Sequence, residues 1–153
     1  MRLTRWTLSL VALGLVLGAA ACMPLPTPTP ASTNSIQGIV WQWTSVTNQT
    51  TKETTTVPNP ENYTIIFNAD GTLEGKADCN SFTGTYSQQN GFSVTLGAST
   101  MAFCGEASLD QQYLHLLGSV VAGGPDGAGN LALETAGGEQ RMLFANGGPA
   151  PKQ

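Results

Sequence analysis

Tyr63-Thr64-Ile65-Ile66-Phe67, followed by Asn68-Ala69-Asp70-Gly71 and then Thr72-Leu73-Glu74-Gly75-Lys76-Ala77, decides the fold class. The first five residues are β-branched or aromatic, the composition of a pleated, half-buried strand. The middle four are turn formers, and Gly71 can take a positive φ at no steric cost. The last six carry the chain back. The same grammar continues downstream. Phe82–Ser87 reads as a strand, and Gln88-Gln89-Asn90-Gly91 ends in Asn-Gly, a strong hairpin signal. Phe92, Val94 and Leu96 then alternate on the returning strand.

Outward from this centre the pattern holds. A strand is expected around Ile39–Ser45, where Trp41 and Trp43 share a face and pack inward. Thr50–Pro60 reads as a loop. Leu131–Thr135 and Arg141–Ala145 form a last pair around Ala136-Gly137-Gly138-Glu139. One segment changes period. Leu109, Tyr113, Leu116, Leu117, Val120 and Val121 recur at helical spacing, with Ser108 and Gln111 in capping-box register. Gly123-Gly124-Pro125 is expected to stop that helix. The fold class is therefore α+β and β-rich: a curled antiparallel sheet of about seven to eight strands with one packed α-helix.

The chain has 153 residues, with 6 Lys+Arg against 10 Asp+Glu and a net charge of −4. That balance excludes nucleic acid, whose phosphates need basic clusters. Three Cys and one His cannot complete a four-ligand zinc site without carboxylates. No Gly-x-Gly-x-x-Gly follows a strand, so no cofactor is expected and no metal site is assigned. Asp70, Glu74 and Asp78 read as a solvated face. His115 falls out of phase with the apolar stripe, so no catalytic residue is assigned.

Between Arg5 and Lys52 there is no charged residue. Arg2 and Arg5 form a basic start, Leu8–Leu17 an apolar core too short for the ~20 residues of a bilayer span, and Gly18-Ala19-Ala20-Ala21 a small-residue cleavage zone. Ala19-Ala20-Ala21-Cys22 resembles the lipobox of bacterial lipoproteins. That resemblance implies acylation of Cys22, anchorage to a bacterial membrane and a domain facing the periplasm or the exterior. Met23-Pro24-Leu25-Pro26-Thr27-Pro28-Thr29-Pro30 favours polyproline II, a tether of roughly 40 Å over positions 23–35 at ~3.1 Å per residue. The expected divisions are a signal peptide over 1–21, lipidated Cys22 and tether over 22–35, a folded head over 36–146 and a tail over 147–153. Loss of 1–21 leaves 4 Lys+Arg against 10 Asp+Glu, a net −6 that anionic lipid would not attract.

Gly75-Lys76-Ala77-Asp78-Cys79-Asn80-Ser81-Phe82-Thr83-Gly84-Thr85-Tyr86 resembles the Gly-x-x-x-Cys-Asn-x-Phe-x-Gly-x-Tyr signature of META domains, the HslJ-like bacterial lipoprotein family. Thr100-Met101-Ala102-Phe103-Cys104 is similar to that family's Thr-x-x-x-Cys element, and Trp41 to the Trp of its first strand. Gly123–Gly129 departs from the pattern, where members often place a Tyr-containing strand, and reads as a loop. The resemblance covers about residues 36–146. It implies a cell-envelope protein without an agreed enzymatic activity, associated with envelope or stress responses. A periplasmic or surface protein partner is the matching expectation. A small-ligand carrier and a cysteine-dependent enzyme are the alternatives. With Cys22 lipidated and the chain exported, Cys79 and Cys104 are left to pair. A loop of ~25 residues would stabilise by roughly 3.5 kcal/mol in the chain-entropy treatment.

Overall fold

The structure, a computed structural model, describes residues 35–151. The expected signal peptide, Cys22 and the stretch expected to form a tether lie outside the described residues. The elements run β1 (Ile39–Asn48), β2 (Thr54–Thr56), β3 (Tyr63–Phe67), β4 (Thr72–Ala77), β5 (Asn80–Ser87), β6 (Ser93–Ser99), α1 (Asp110–Gly118), β7 (Val120–Pro125), β8 (Leu131–Thr135) and β9 (Gln140–Pro149). The strands form one antiparallel sheet in the order β6-β5-β4-β3-β1-β9-β8-β7, with β2 added to β1.

The sheet curls into a half-barrel for local reasons. Bulges interrupt the β1–β9 pairing between Ile39 and Trp41 and between Trp43 and Ser45. Others lie between Phe82 and Gly84 and between Val120 and Ala122. Each extra residue bends its strand and adds twist. The bulge after Trp43 also resets parity, so Trp43 and Val46, three positions apart, are both buried. The two outer strands come together near the start of β6. The Phe92 N–H donates to the Val121 carbonyl at 3.2 Å. The Asn90-Gly91 turn that aims Phe92 there has both residues at positive φ, 59° and 116°.

Three expectations are corrected. The helix ends at Gly118 instead of reaching Val121. Val120 and Val121 belong to β7, because Val120 pairs with Thr135 of β8. Helical spacing was ambiguous there, since Val120 is buried as a strand residue too. The capping box does not form. Ser108 Oγ accepts from the Asp110 N–H, and Asp110 Oδ1 accepts from the Gln111 N–H. Finally, neither Thr50–Pro60 nor Gly123–Gly129 is wholly loop. β2 pairs with β1 beyond the point where β3 departs, and β7 runs through Gly123 and Gly124 to Pro125.

The helix plugs the curl. Tyr113 of α1 is fully buried and stacks on Trp43 of β1 with ring centroids 5.1 Å apart. Tyr63 meets both rings edge-on at 5.8 Å, and Phe82 meets Tyr113 at 6.0 Å. Leu117, Leu131, Leu133, Met142 and Phe144 complete the interior. These geometries suit aromatic quadrupoles. The concave side of the sheet is therefore filled by side chains.

The Tyr113 hydroxyl has no hydrogen-bond partner among the described residues. Its burial raises the phenol pKa well above the ordinary value of 10.0. Above pH ~10 an unfolded phenol loses its proton while the buried one keeps it. The native state then binds more protons, so stability falls as pH rises. Tyr113→Phe deletes the unpaired oxygen and is expected to raise the unfolding free energy by about 1 kcal/mol and to flatten that alkaline decline. Tyr113→Ala is expected to cost about 3–5 kcal/mol. Urea denaturation across neutral and alkaline pH measures both.

Candidate functional site

The β4–β5 hairpin turns through Asp78 and Cys79, with Ala77 paired to Asn80. Asp78 takes a positive φ of 58°, held by its N–H on the Asn62 carbonyl at 2.7 Å. This tight turn leaves Cys79 exposed and carries Asn80 inward to 2% exposure. A buried carboxamide must find partners for both ends. Asn80 finds them in the segment after β6. Its Oδ1 accepts from the Ala102 N–H at 2.8 Å and from the Thr100 hydroxyl at 3.1 Å. Its Nδ2 donates to the Ala102 carbonyl at 3.0 Å and to Asp110 Oδ2 at 3.2 Å. The amide thus pairs with both backbone groups of Ala102, as a neighbouring strand would.

Further bonds fasten the same segment. Thr100 exchanges bonds with Ser81, its N–H donating to the Ser81 carbonyl and its Oγ1 accepting from the Ser81 N–H, each at 3.0 Å. A disulfide joins Cys79 to Cys104, with Cα atoms 5.6 Å apart. The Leu109 N–H donates to the Tyr63 hydroxyl at 2.9 Å, which fixes the start of α1 on β3. The result is a latch tying hairpin, loop and helix together. It holds outside the core two large apolar side chains, Met101 at 88% and Phe103 at 85% exposure. Beside them runs a groove of about 400 Å³, whose lining includes Cys104, Glu106 and Asp110.

The motif residues divide into two groups. Gly75, Cys79, Asn80, Phe82, Thr100 and Cys104 gather around the latch. Gly75 faces Phe82 across the strands, where a Cβ would collide with the Phe82 ring and the Thr64 carbonyl. Gly84 and Tyr86 lie towards the other end of β5. A Cβ at Gly84 would strike the Thr95 carbonyl. The Tyr86 hydroxyl donates to the Asn68 carbonyl and accepts from Gln37 Nε2, both at 2.8 Å. Cys22 lies outside the described residues.

The acidic trio makes no common site, because β4 puts Asp70 and Asp78 in turns at its opposite ends. Asp70 serves its own turn: the Thr72 hydroxyl, and then the Thr72 N–H, hold its carboxyl below the ordinary range. No cluster of His, Cys, Asp and Glu suited to a metal occurs among the described residues. His115 is exposed and lines a separate groove with Gln112, Ser119 and Glu139. Met101, Phe103 and Asp110 were not singled out from sequence. The available signal was two apolar residues flanking Ala102 in a segment with no strand pattern.

The latch makes two expectations. Asn80→Ala strands the Ala102 backbone and the Asp110 carboxylate, and is expected to cost about 2–4 kcal/mol. It should also speed hydrogen exchange at the Ala102 amide. Paired replacement of Cys79 and Cys104 by Ala is expected to cost about 3 kcal/mol while the bonds between Asn80 and Ala102 persist. Exchange and denaturation on the same samples separate the two. Slow exchange at Ala102 in Asn80→Ala would contradict the assignment.

No curated protein matches the chain significantly. Among solved structures, a DUF4847 family protein from Bacteroides vulgatus superposes with a TM-score of 0.58 at 13% identity, covering 72% of this chain and 93% of that one. A protein from Burkholderia xenovorans, solved by NMR, also gives 0.58, at 18% identity, covering 85% of this chain and 98% of that one. At these identities the likeness is one of fold. The META domain family profile matches residues 34–147, a span that takes in the whole latch and every motif residue from Gly75 to Cys104. The chain belongs to the META domain family.

Proposed function

We propose that this chain is a non-enzymatic, lipid-anchored cell-envelope protein whose META domain binds a partner in an accessory, protective or inhibitory role linked to envelope or stress responses. The observation that carries the reading is the latch. A buried amide and a disulfide fix a loop whose largest side chains, Met101 and Phe103, lie in solvent. Neighbouring exposed apolar groups held in one geometry offer another molecule an apolar contact. Chemistry fits less well. A cysteine nucleophile needs a free thiolate and an activating base. Cys79 and Cys104 are bonded to each other, and His115 sits in a different groove. A small-ligand carrier would need the space that Trp43, Tyr113, Leu133 and Phe144 occupy.

Anchorage rests on Ala19-Ala20-Ala21-Cys22 and the Pro-rich stretch after it. Two or more acyl chains hold a protein stably where one does not. In this reading the domain stands off a bacterial membrane on the periplasmic or outer side, without a cofactor.

Two experiments test it. Labelled fatty acid is expected in the wild-type chain and absent in Cys22→Ala; label retained in the variant counts against the anchor. Replacing Met101 and Phe103 by Ser is expected to leave the fold intact, because neither belongs to the core. It should reproduce the deletion phenotype under envelope stress. A doubly substituted protein as competent as wild type would remove the binding role from this loop.

A further inference from the structure

Register places the loop relative to the start of the described chain. Gln37 bridges Phe67, the Gly38 N–H donates to the Phe67 carbonyl at 3.0 Å, and Gln37 Nε2 donates to the Tyr86 hydroxyl. The chain therefore enters the domain at the Phe67 end of β3 and the Tyr86 end of β5. The latch lies at the other end, where Tyr63 pairs with Ala77 and Asn80 opens β5. Asn80 and Tyr86 are separated along one strand by roughly 20 Å at ~3.3 Å per residue. A domain held through the residues before Ser35 presents Met101 and Phe103 away from its point of attachment.

Charge narrows what can meet them. Of the 6 Lys+Arg, Arg2, Arg5 and Lys152 fall outside residues 35–151, leaving 3 against all 10 Asp+Glu. Glu106 is exposed in the groove beside the loop and Asp78 adjoins Cys79, so these two carboxylates form the rim, while Asp110 is buried among the groove's lining and bonded to Asn80. The cation nearest in the hairpin, Lys76, reaches towards Asn62 Oδ1 at 3.3 Å on the β3 side. Segments that settle on anionic lipid carry Lys and Arg beside their apolar residues, so this carboxylate rim opposes a bilayer. A second copy would bring the same acidic rim and meet repulsion.

We propose that the Met101–Phe103 loop docks into an apolar notch rimmed by Lys or Arg on a different protein, at the end of the domain remote from its tether. The proposal rests on the binding role given above and adds the partner's chemistry and the side from which it approaches. Met and Phe suit the centre of such a contact, with the carboxylates steering from the rim.

The test uses the full-length chain in its own cells, with photoreactive benzoylphenylalanine at position 103 or at position 89, in the turn at the tether end. A discrete protein adduct is expected at position 103 and not at 89. Adduct yield should fall roughly tenfold in Glu106→Lys, as reversal of a rim charge slows association. It should fall less in Glu106→Gln and be lost in Met101→Ser. A product of twice the chain mass would mean a second copy, and lipid adducts would mean a membrane surface; either overturns the proposal. So does a protein adduct indifferent to Glu106→Lys, or equal labelling at both positions. If the Met101 and Phe103 double substitution still gives the stress phenotype while these outcomes occur, the binding role stands and only the partner's chemistry fails.

Discussion

One buried carboxamide organises this molecule. Asn80 is the residue at which the β4–β5 hairpin, the post-β6 loop and the first turn of α1 share hydrogen bonds. An amide in the interior costs most when half-paired, so its contacts act together. Asp110 passes the constraint on, since it accepts from Asn80 and also from the Gln111 N–H that opens the helix. Three residues later Tyr113 enters the aromatic interior against Trp43. The loop's exposed face and the domain's packed interior thus depend on one side chain.

Much of the architecture is legible from residue chemistry. Tyr63–Phe67 and Thr72–Ala77 have the same limits in the sequence reading and in the fold, because β-branched runs bounded by Asn68–Gly71 leave little choice. Asn90-Gly91 likewise declares its hairpin. What is not legible depends on partners distant in sequence. β2 is three threonines with no apolar pattern, and it exists because β1 outlasts β3 and offers a free edge. Val120 satisfies a helical period and a strand pairing equally, and only β8 decides between them. Ser108 and Gln111 have the spacing of a cap, yet Asp110 supplies a nearer acceptor.

The candidate site shows the same division. The motif glycines, Asn80 and the two cysteines are visible as a spaced set, and their setting explains the types: Gly75 gives Phe82 room, and Asn80 imitates a strand edge. Met101 and Phe103 are ordinary apolar residues in sequence. They become notable because the bonds at Thr100, Ala102 and Cys104 keep them from folding inward. Exposure of this kind is a property of the assembled latch and cannot be assigned to the residues alone.

The two limits of the fold lie side by side. Ile39 opens β1 opposite Pro149 at the close of β9, and the Ala150 N–H donates to the Gly38 carbonyl at 2.9 Å. A chain whose ends meet can be cut from its context and spliced into the surface loop of another protein with little disturbance to either. The same proximity would let the ends be joined and new ones opened at the Asn90-Gly91 turn. This head is in that sense a portable cassette, which carries its contact loop on the far side from the seam.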